Sequence, residues 1–297
     1  MRCERAVIVV GGVGSRGLEW TYANEKCQLP LPATVINPDG TRKRATRSVV
    51  SFVVDDCLRA GINDFTFIVG EGAVNTRRAY EGNPPVDEYF ESQGKAHLLN
   101  TIKGIGNRAT FRFIEQRFGG DEPYGTTVPV ALARESIEQS GSTLIVMGDQ
   151  LFHRPDGSSE AANLIDATAS LGASAGMLVK PVDPNAINHY GIAHLRGDGL
   201  LDAIIEKPPV GSIPECDANA SMYVVDRHIM PYVDKNMAAA GGGERMFTDV
   251  INDFAPSRPV AVVTAGGEYL DCGSPETYEA SFLYMREQAL ALMQAGQ

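Results

Sequence analysis

Positions 11–17 read Gly-Gly-Val-Gly-Ser-Arg-Gly, directly after the β-branched run Ala6–Val10. Glycines in such a turn let backbone N–H groups approach an anion closely, so Gly11, Gly12, Gly14 and Ser15 are candidates for holding a phosphorylated ligand. Arg16 within the turn and Lys26 beyond it are cations that could neutralise phosphate charge. Taken singly, each is an ordinary surface cation. Asp149 follows the apolar run Thr143–Met147 and Gly148, and Asp271 stands just before a Gly-Ser-Pro turn. A carboxylate at a strand's carboxyl end, as at Asp149, is placed where it could hold a metal ion. An isolated Gly-Asp is also a common turn. Glu206-Lys207-Pro208 ends another apolar run with opposite charges side by side. Two other readings stay open. Residues 12–17 match the dinucleotide pattern GxGxxG, with Asp39 about 20 residues on, as in a dehydrogenase. Against that, Asp39 lies in Asn37-Pro-Asp-Gly40, a turn sequence. The other is a glycine turn that binds nothing.

These residues need elements to position them. Ala6–Val10, unbroken and β-branched, predicts a strand buried on both faces, as in a parallel sheet. Val49, Phe52, Val53, Cys57 and Ala60 recur at helical spacing, and Gly61 stops that helix. Further strands are expected at Phe65–Val69, Thr110–Glu115 and Thr143–Met147, with a helix from about Thr126 to Gln139 burying Val130, Ala133 and Ile137. Such alternation predicts an α/β, doubly wound sheet whose ligand crevice lies outside the strands' carboxyl ends. Beyond about residue 172 come strands at Ser174–Lys180, Gly191–Leu195 and Leu200–Glu206, the last two joined through Gly197-Asp198-Gly199, a hairpin signal. Met222–Val225 and Val260–Thr264 read as strands and Pro275–Ala291 as a helix capped by Ser274. The fold expected is therefore a mostly parallel, Rossmann-like mixed sheet with an antiparallel extension, forming one unit over residues 1–297.

The chain of 297 residues carries 26 Lys and Arg against 37 Asp and Glu, a net charge of −11. That balance argues against nucleic acid or an anionic membrane as partner, so bound phosphate must meet a local cluster of cations. Cys3, Cys27, Cys57, Cys216 and Cys272 are scattered without a CxxC pair, which indicates neither a disulfide framework nor a structural zinc and fits a reducing cytoplasm. Ala6–Val10 is too short for a signal-peptide core, and no later run has a membrane span's length.

The ordered set Gly-Gly-x-Gly-Ser-Arg16, Leu18, Lys26 and Leu29-Pro30 resembles the signature of the sugar-1-phosphate nucleotidylyltransferases. With His189-Tyr190-Gly191, Glu206-Lys207-Pro208 and Asp271-Cys-Gly, over roughly residues 5–285, the layout resembles the bacterial uridylyltransferases that make UDP-glucose. The resemblance implies transfer from a nucleoside triphosphate, UTP first, to a sugar 1-phosphate, glucose 1-phosphate first, with release of pyrophosphate. It implies Mg²⁺ held jointly by Asp149 and Asp271, with Arg16, Lys26, Asp149 and Lys207 serving catalysis. Gly11, Gly12, Gly14, Ser15, Gln116 and Gly125 would hold the nucleotide. Tyr190, Gly191, Glu206 and Asn219 would meet the sugar, Gly191 leaving room for the hexose ring, and Lys207 the sugar phosphate. Residues 1–172 then form the nucleotide half, and 173–297 the sugar-phosphate half with the C-terminal helix. Glu19 and Glu25 stand where the family has prolines, and Arg47-Ser48 where it has Lys-Pro. A non-catalytic sugar-nucleotide-binding regulator is therefore a rival, as is another base or sugar. The stretch 32–46, with Arg42, Lys43 and Arg44, reads as a solvated hairpin or as a lid over the phosphates. A homo-oligomer is expected; Tyr278, Phe282, Met285 and Leu290 offer a subunit contact unless they pack on the chain's own sheet.

Overall fold

The computed structural model describes residues 3–36, 39–99, 108–239 and 243–295. Asn37 and Pro38 of the Asn-Pro-Asp-Gly turn lie outside them. The strands are β1 (Arg5–Val10), β2 (Pro30–Ile36), β3 (Arg42–Ser48), β4 (Asp64–Gly70), β5 (Thr110–Gln116), β6 (Thr143–Met147), β7 (Gln150–His153), β8 (Ala175–Pro181), β9 (Gly191–Leu195), β10 (Leu201–Glu206), β11 (Asp217–Val225), β12 (Val260–Thr264) and β13 (Glu268–Asp271). The helices are α1 (Leu18–Thr21), α2 (Val49–Arg59), α3 (Asn75–Glu81), α4 (Pro84–Ser92), α5 (Thr127–Leu132), α6 (Arg134–Glu138), α7 (Glu160–Ser170), α8 (Met230–Met237), α9 (Phe247–Phe254) and α10 (Pro275–Gln294).

Side chains of a strand point alternately to its two faces, and here both faces are covered. Ala6 and Ile8 of β1 enter one core with Phe65, Phe67, Leu144 and Val146; Val7 enters the other with Ile68 and Ile145. Two cores explain the unbroken apolar runs, because no face of these strands meets water. β6, β1, β4 and β5 are parallel neighbours. Next to β6, β11 runs antiparallel, and β9, β10 and β8 continue from it in antiparallel pairs. β12 departs from the expected extension by pairing parallel with β8.

The expected helix over 126–139 is divided at Ala133, whose backbone (φ −82°, ψ 9°) closes α5 and opens α6. Val130, Ala133 and Ile137 still share the buried face. β2 and β3 form the hairpin anticipated over 32–46, and it packs against α10: Thr34 Oγ1 donates to the Ala289 carbonyl (2.8 Å) and Tyr278 Oη to that of Pro30 (2.8 Å). Its Arg42 donates to the Leu292 carbonyl, so this cation is engaged by the C-terminal helix and is not held over a ligand. Met285 is buried, and Tyr278 and Phe282 pack against the same core, which accounts for that face within the chain; Leu290 is exposed. α10 extends three residues past its expected end, starting at Pro275 with Ser274 and Thr277 capping each other reciprocally.

Candidate active site

At the end of β1 the backbone leaves the sheet through the glycine turn. Gly14 takes φ 68°, and a Cβ there would lie 2.7 Å from Thr21 Cγ2. Only glycine meets both conditions. Thr21 Oγ1 locks the turn by donating to the carbonyls of Gly14 (2.8 Å) and Gly17 (3.0 Å). Gly12, by contrast, has open space where a Cβ would stand. The turn forms one wall of a cleft of about 520 Å³ that also exposes Ser15, Lys26, Gln116, Gly125 and Asp149. Gly11 lies beneath it, where a Cβ would come within 3.2 Å of Gln116 Oε1. Gln116 is buried, yet its amide has no hydrogen-bond partner among the described residues. An amide lining a cleft with its donors and acceptor unspent can pair with a base edge. Gly125 (φ 112°) sits against the Arg245 backbone, and its rim is stitched down by Arg245 N–H to the Tyr124 carbonyl (2.8 Å) and Thr127 N–H to the Arg245 carbonyl (2.8 Å).

Lys26 is placed by its neighbour. The Glu25 carboxylate accepts from the first N–H groups of α3, those of Asn75 (2.7 Å) and Thr76 (2.7 Å), and from Val74 (2.9 Å). An anion at unpaired helix N–H groups is favourable, which gives Glu25 a structural function where the resembled family has proline. Lys26 Nζ then reaches Asp149 Oδ2 at 2.6 Å, with 13% of the lysine and 29% of the aspartate side chain exposed. β7 and β13 form a two-stranded antiparallel ribbon with Asp271 opposite Gln150. The Cys272 N–H donates to the Asp149 carbonyl (3.0 Å), so both aspartates sit at the same end of that ribbon. Asp271 Oδ1 accepts from the Gly273 N–H (2.7 Å). A Cβ at Gly273 would lie 2.7 Å from that oxygen and 2.9 Å from Arg16 Nη2. The bare Cα therefore lets Arg16 and Asp271 face each other, and Arg16, Lys26, Asp149 and Asp271 meet in one place. Among the described residues no group of three or more His, Cys, Asp and Glu could cage a metal. The two carboxylates fit instead a hard divalent cation that draws its remaining ligands from phosphate and water.

On the other side, Glu206 pairs with Gly191 across β10 and β9, and Lys207 N–H donates to the Tyr190 carbonyl (2.9 Å). Lys207 holds φ 46°, one of two non-glycine residues with positive φ among those described; the other is Ser221 (φ 52°). Such backbones concentrate at functional sites because surrounding structure must impose them. The missing side chain of Gly191 makes room for Glu206, whose Oε2 would stand 2.7 Å from a Cβ there, and not directly for a hexose. Asn219 spends its amide on its own strand, donating to Tyr223 Oη (2.6 Å) and accepting from Ser221 N–H (3.0 Å) where β11 breaks register. A bulge needs its freed backbone groups satisfied, and Ser221, not Asn219, lines the cleft.

Lys180 was not singled out by the sequence. It is the penultimate residue of β8, with Nζ 3.4 Å from the ring centroid of Tyr269 and 5.0 Å from that of Tyr190. Burial pushes its ammonium down to about 8, against the opposing pull of Asp271 and Glu268. A charged residue at a strand's carboxyl end was the available signal. Tyr269 in turn donates to Gln150 Oε1 (2.7 Å), beside Asp149. Asp39, the acid of the dehydrogenase reading, accepts from Thr41 N–H (2.9 Å) and Oγ1 (2.6 Å) in the hairpin turn between β2 and β3, and ends no strand of the central sheet.

A mixed sheet with a glycine turn, cations and paired carboxylates at its carboxyl edge is the framework of a nucleotidyltransferase. Residues 5–288 match the family profile described as nucleotidyl transferase, and the chain belongs to that family. It is 25% identical over 278 residues to a UTP–glucose-1-phosphate uridylyltransferase of Bacillus subtilis, covering 92% of this chain and 87% of the relative. A protein of the same description from Haemophilus influenzae is 24% identical over 290 residues, covering 94% and 92%. In fold, the chain is similar to a structure described as UTP-bound UGPase from Acinetobacter baumannii, with a TM-score of 0.82 at 21% identity over 99% of this chain and 98% of the other. No helix among the described residues is long and apolar enough to cross a membrane.

Proposed function

We propose that this chain transfers the uridylyl group of UTP to glucose 1-phosphate, releasing pyrophosphate and forming UDP-glucose. The meeting of Lys26 and Asp149 in the glycine-turn cleft, with Asp271 and Arg16 beside Gly273 at the end of the adjoining ribbon, carries this reading. The names of its relatives supply the base and the sugar. Residues 1–172 would serve the nucleotide and residues 173–297 the sugar phosphate. A phosphate oxygen of glucose 1-phosphate attacks the α-phosphorus in line; the new O–P bond forms as the bond to the β-phosphate oxygen breaks, and the pair of electrons leaves on pyrophosphate. The attacking oxygen is already anionic at neutral pH, so no general base is needed, and the rate rests on alignment and charge neutralisation. Mg²⁺, held by Asp149 and Asp271, would neutralise charge on the triphosphate and help orient it. Arg16 and Lys26 offset charge developing on the leaving group, the amides of the glycine turn cradle its oxygens, and Gln116 pairs with the uracil edge. Lys207 and Glu206 engage the phosphate and hydroxyls of the sugar. All five cysteines are free, which supports a reducing cytoplasm.

The test incubates the protein with Mg²⁺, glucose 1-phosphate and each of UTP, dTTP, ATP, CTP and GTP, and follows pyrophosphate. Release is expected with UTP at a kcat/KM at least about tenfold above ATP, CTP or GTP, whose base edges a single pairing amide can reject, whereas dTTP presents the same edge as UTP and is not separated from it by Gln116. Binding of UDP-glucose with no release from any triphosphate would instead identify a regulator.

A further inference from the structure

We propose that Lys180 is a further substrate-binding residue, whose ammonium takes a phosphate oxygen of the sugar 1-phosphate between Tyr190 and Asp271. The inference deepens the reading above and rests on it for the identity of the sugar phosphate. Lys180 Nζ stacks on Tyr269 at 3.4 Å from the ring centroid and lies 5.0 Å from that of Tyr190, so two aromatic side chains fix its position. Tyr269 is itself anchored through Gln150 to the strand that follows Asp149. Among the described residues the ammonium has no ion-pair partner and no hydrogen-bond acceptor. It differs in this from Lys26, whose charge is already matched by Asp149 at 2.6 Å. A half-buried amine with three unspent donors is costly to leave unpaired, and a phosphate oxygen would repay that cost. The location selects which phosphate. Tyr190, whose carbonyl holds the backbone of Lys207, belongs to the sugar-side segment, while the neighbouring Asp271 marks the cation side. The ammonium thus stands between the sugar-side segment and the strand that carries Asp271, where a phosphate carried in by the sugar would lie to reach the nucleotide. Burial already lowers the proton affinity of this amine, a penalty that an adjacent phosphate would offset.

The experiment compares wild type with Lys180→Met and Lys180→Arg. It measures steady-state KM for glucose 1-phosphate and for UTP separately, and glucose 1-phosphate binding by calorimetry; melting temperatures report folding. Lys180→Met is expected to raise KM for glucose 1-phosphate about tenfold or more, with KM for UTP changed less than about twofold, and Lys180→Arg to restore part of the loss. An unchanged KM for glucose 1-phosphate, or a loss confined to UTP, would overturn the assignment while leaving the function standing. If wild type releases no pyrophosphate but binds glucose 1-phosphate, and Lys180→Met binds it about tenfold more weakly, the function falls and the phosphate site stands. Should the wild type neither turn over nor bind glucose 1-phosphate, both fail. If Lys180→Met does not fold, Lys180→Gln decides by the same two KM values: a rise confined to glucose 1-phosphate supports the cationic role, and an unchanged KM or a loss as large on UTP as on the sugar phosphate overturns it.

Discussion

Lys207 keeps a left-handed backbone that side chains ordinarily avoid, and it does so at the end of β10 beside the sugar-side segment. If the surrounding fold imposes that conformation, Lys207→Gly will be more stable than Lys207→Ala by about 0.5–1 kcal/mol in urea unfolding, since glycine escapes the steric penalty and returns part of it as chain entropy. Both variants are expected to lose glucose 1-phosphate use equally; equal stabilities would show that no strain is held there. The cysteines give a second residue-scale outcome. Burial pushes Cys27 and Cys272 up to about 12, Cys3 up to about 11 and Cys57 well above its ordinary range. The thiolate is the nucleophile, and raising a thiol's pKa shrinks its thiolate fraction at any pH below it. A thiol reagent at pH 8 should therefore meet one fast group in the native protein, the half-buried Cys216, and five after denaturation. A second fast native thiol would contradict the packing described. Residue types were legible in the sequence, but their pairings were not. Nothing in the spacing of Lys26 and Asp149, 123 positions apart, says that they touch at 2.6 Å.

Among the elements, the ribbon of β7 and β13 does most to assemble the site, and it was the least visible. Each strand has four residues, too few for an alternation to be distinguished from a turn, and each exists because the other is there to pair with. By contrast β1, β4 and β6 emerged within a residue of their expected ends, because burial on both faces leaves a continuous apolar run that few other structures produce. The basic stretch over 32–46 was ambiguous for a related reason. A hairpin and a lid share one composition, and only the partner, here α10, separates them. Glu25 looked like damage to a motif and is instead the anchor of the Lys26 turn. For the ribbon, Gly273→Ala provides the test. Its Cβ would crowd both Asp271 Oδ1 and Arg16 Nη2 and displace them, so turnover should fall by about tenfold or more, while stability drops by roughly 1 kcal/mol. Full activity in that variant would show that the space at 273 is not needed.

Across the whole molecule, an excess of acid coexists with a site proposed to hold phosphate. The net charge of −11 pointed to a local concentration of cations; Arg16 and Lys26 come from the glycine turn and the residues after it, and the proposed function adds Lys180 and Lys207 from the ends of β8 and β10. The doubly wound sheet makes this possible by delivering the ends of β1, β6, β8 and β10, or the residues just beyond them, to a common region. Gln116 joins them from the end of β5 with its amide unspent. What composition could not convey was that Asp149 and Asp271 share one end of a ribbon, and this is the feature on which a single shared cation depends. It is tested most directly by Mn²⁺ binding in the presence of UTP, followed by electron paramagnetic resonance in wild type, Asp149→Asn, Asp271→Asn and the double variant. A shared ion predicts that each single substitution weakens Mn²⁺ about tenfold or more and that the double loses little beyond either one. Two independent, additive losses, or a single variant that binds Mn²⁺ as wild type does, would contradict it.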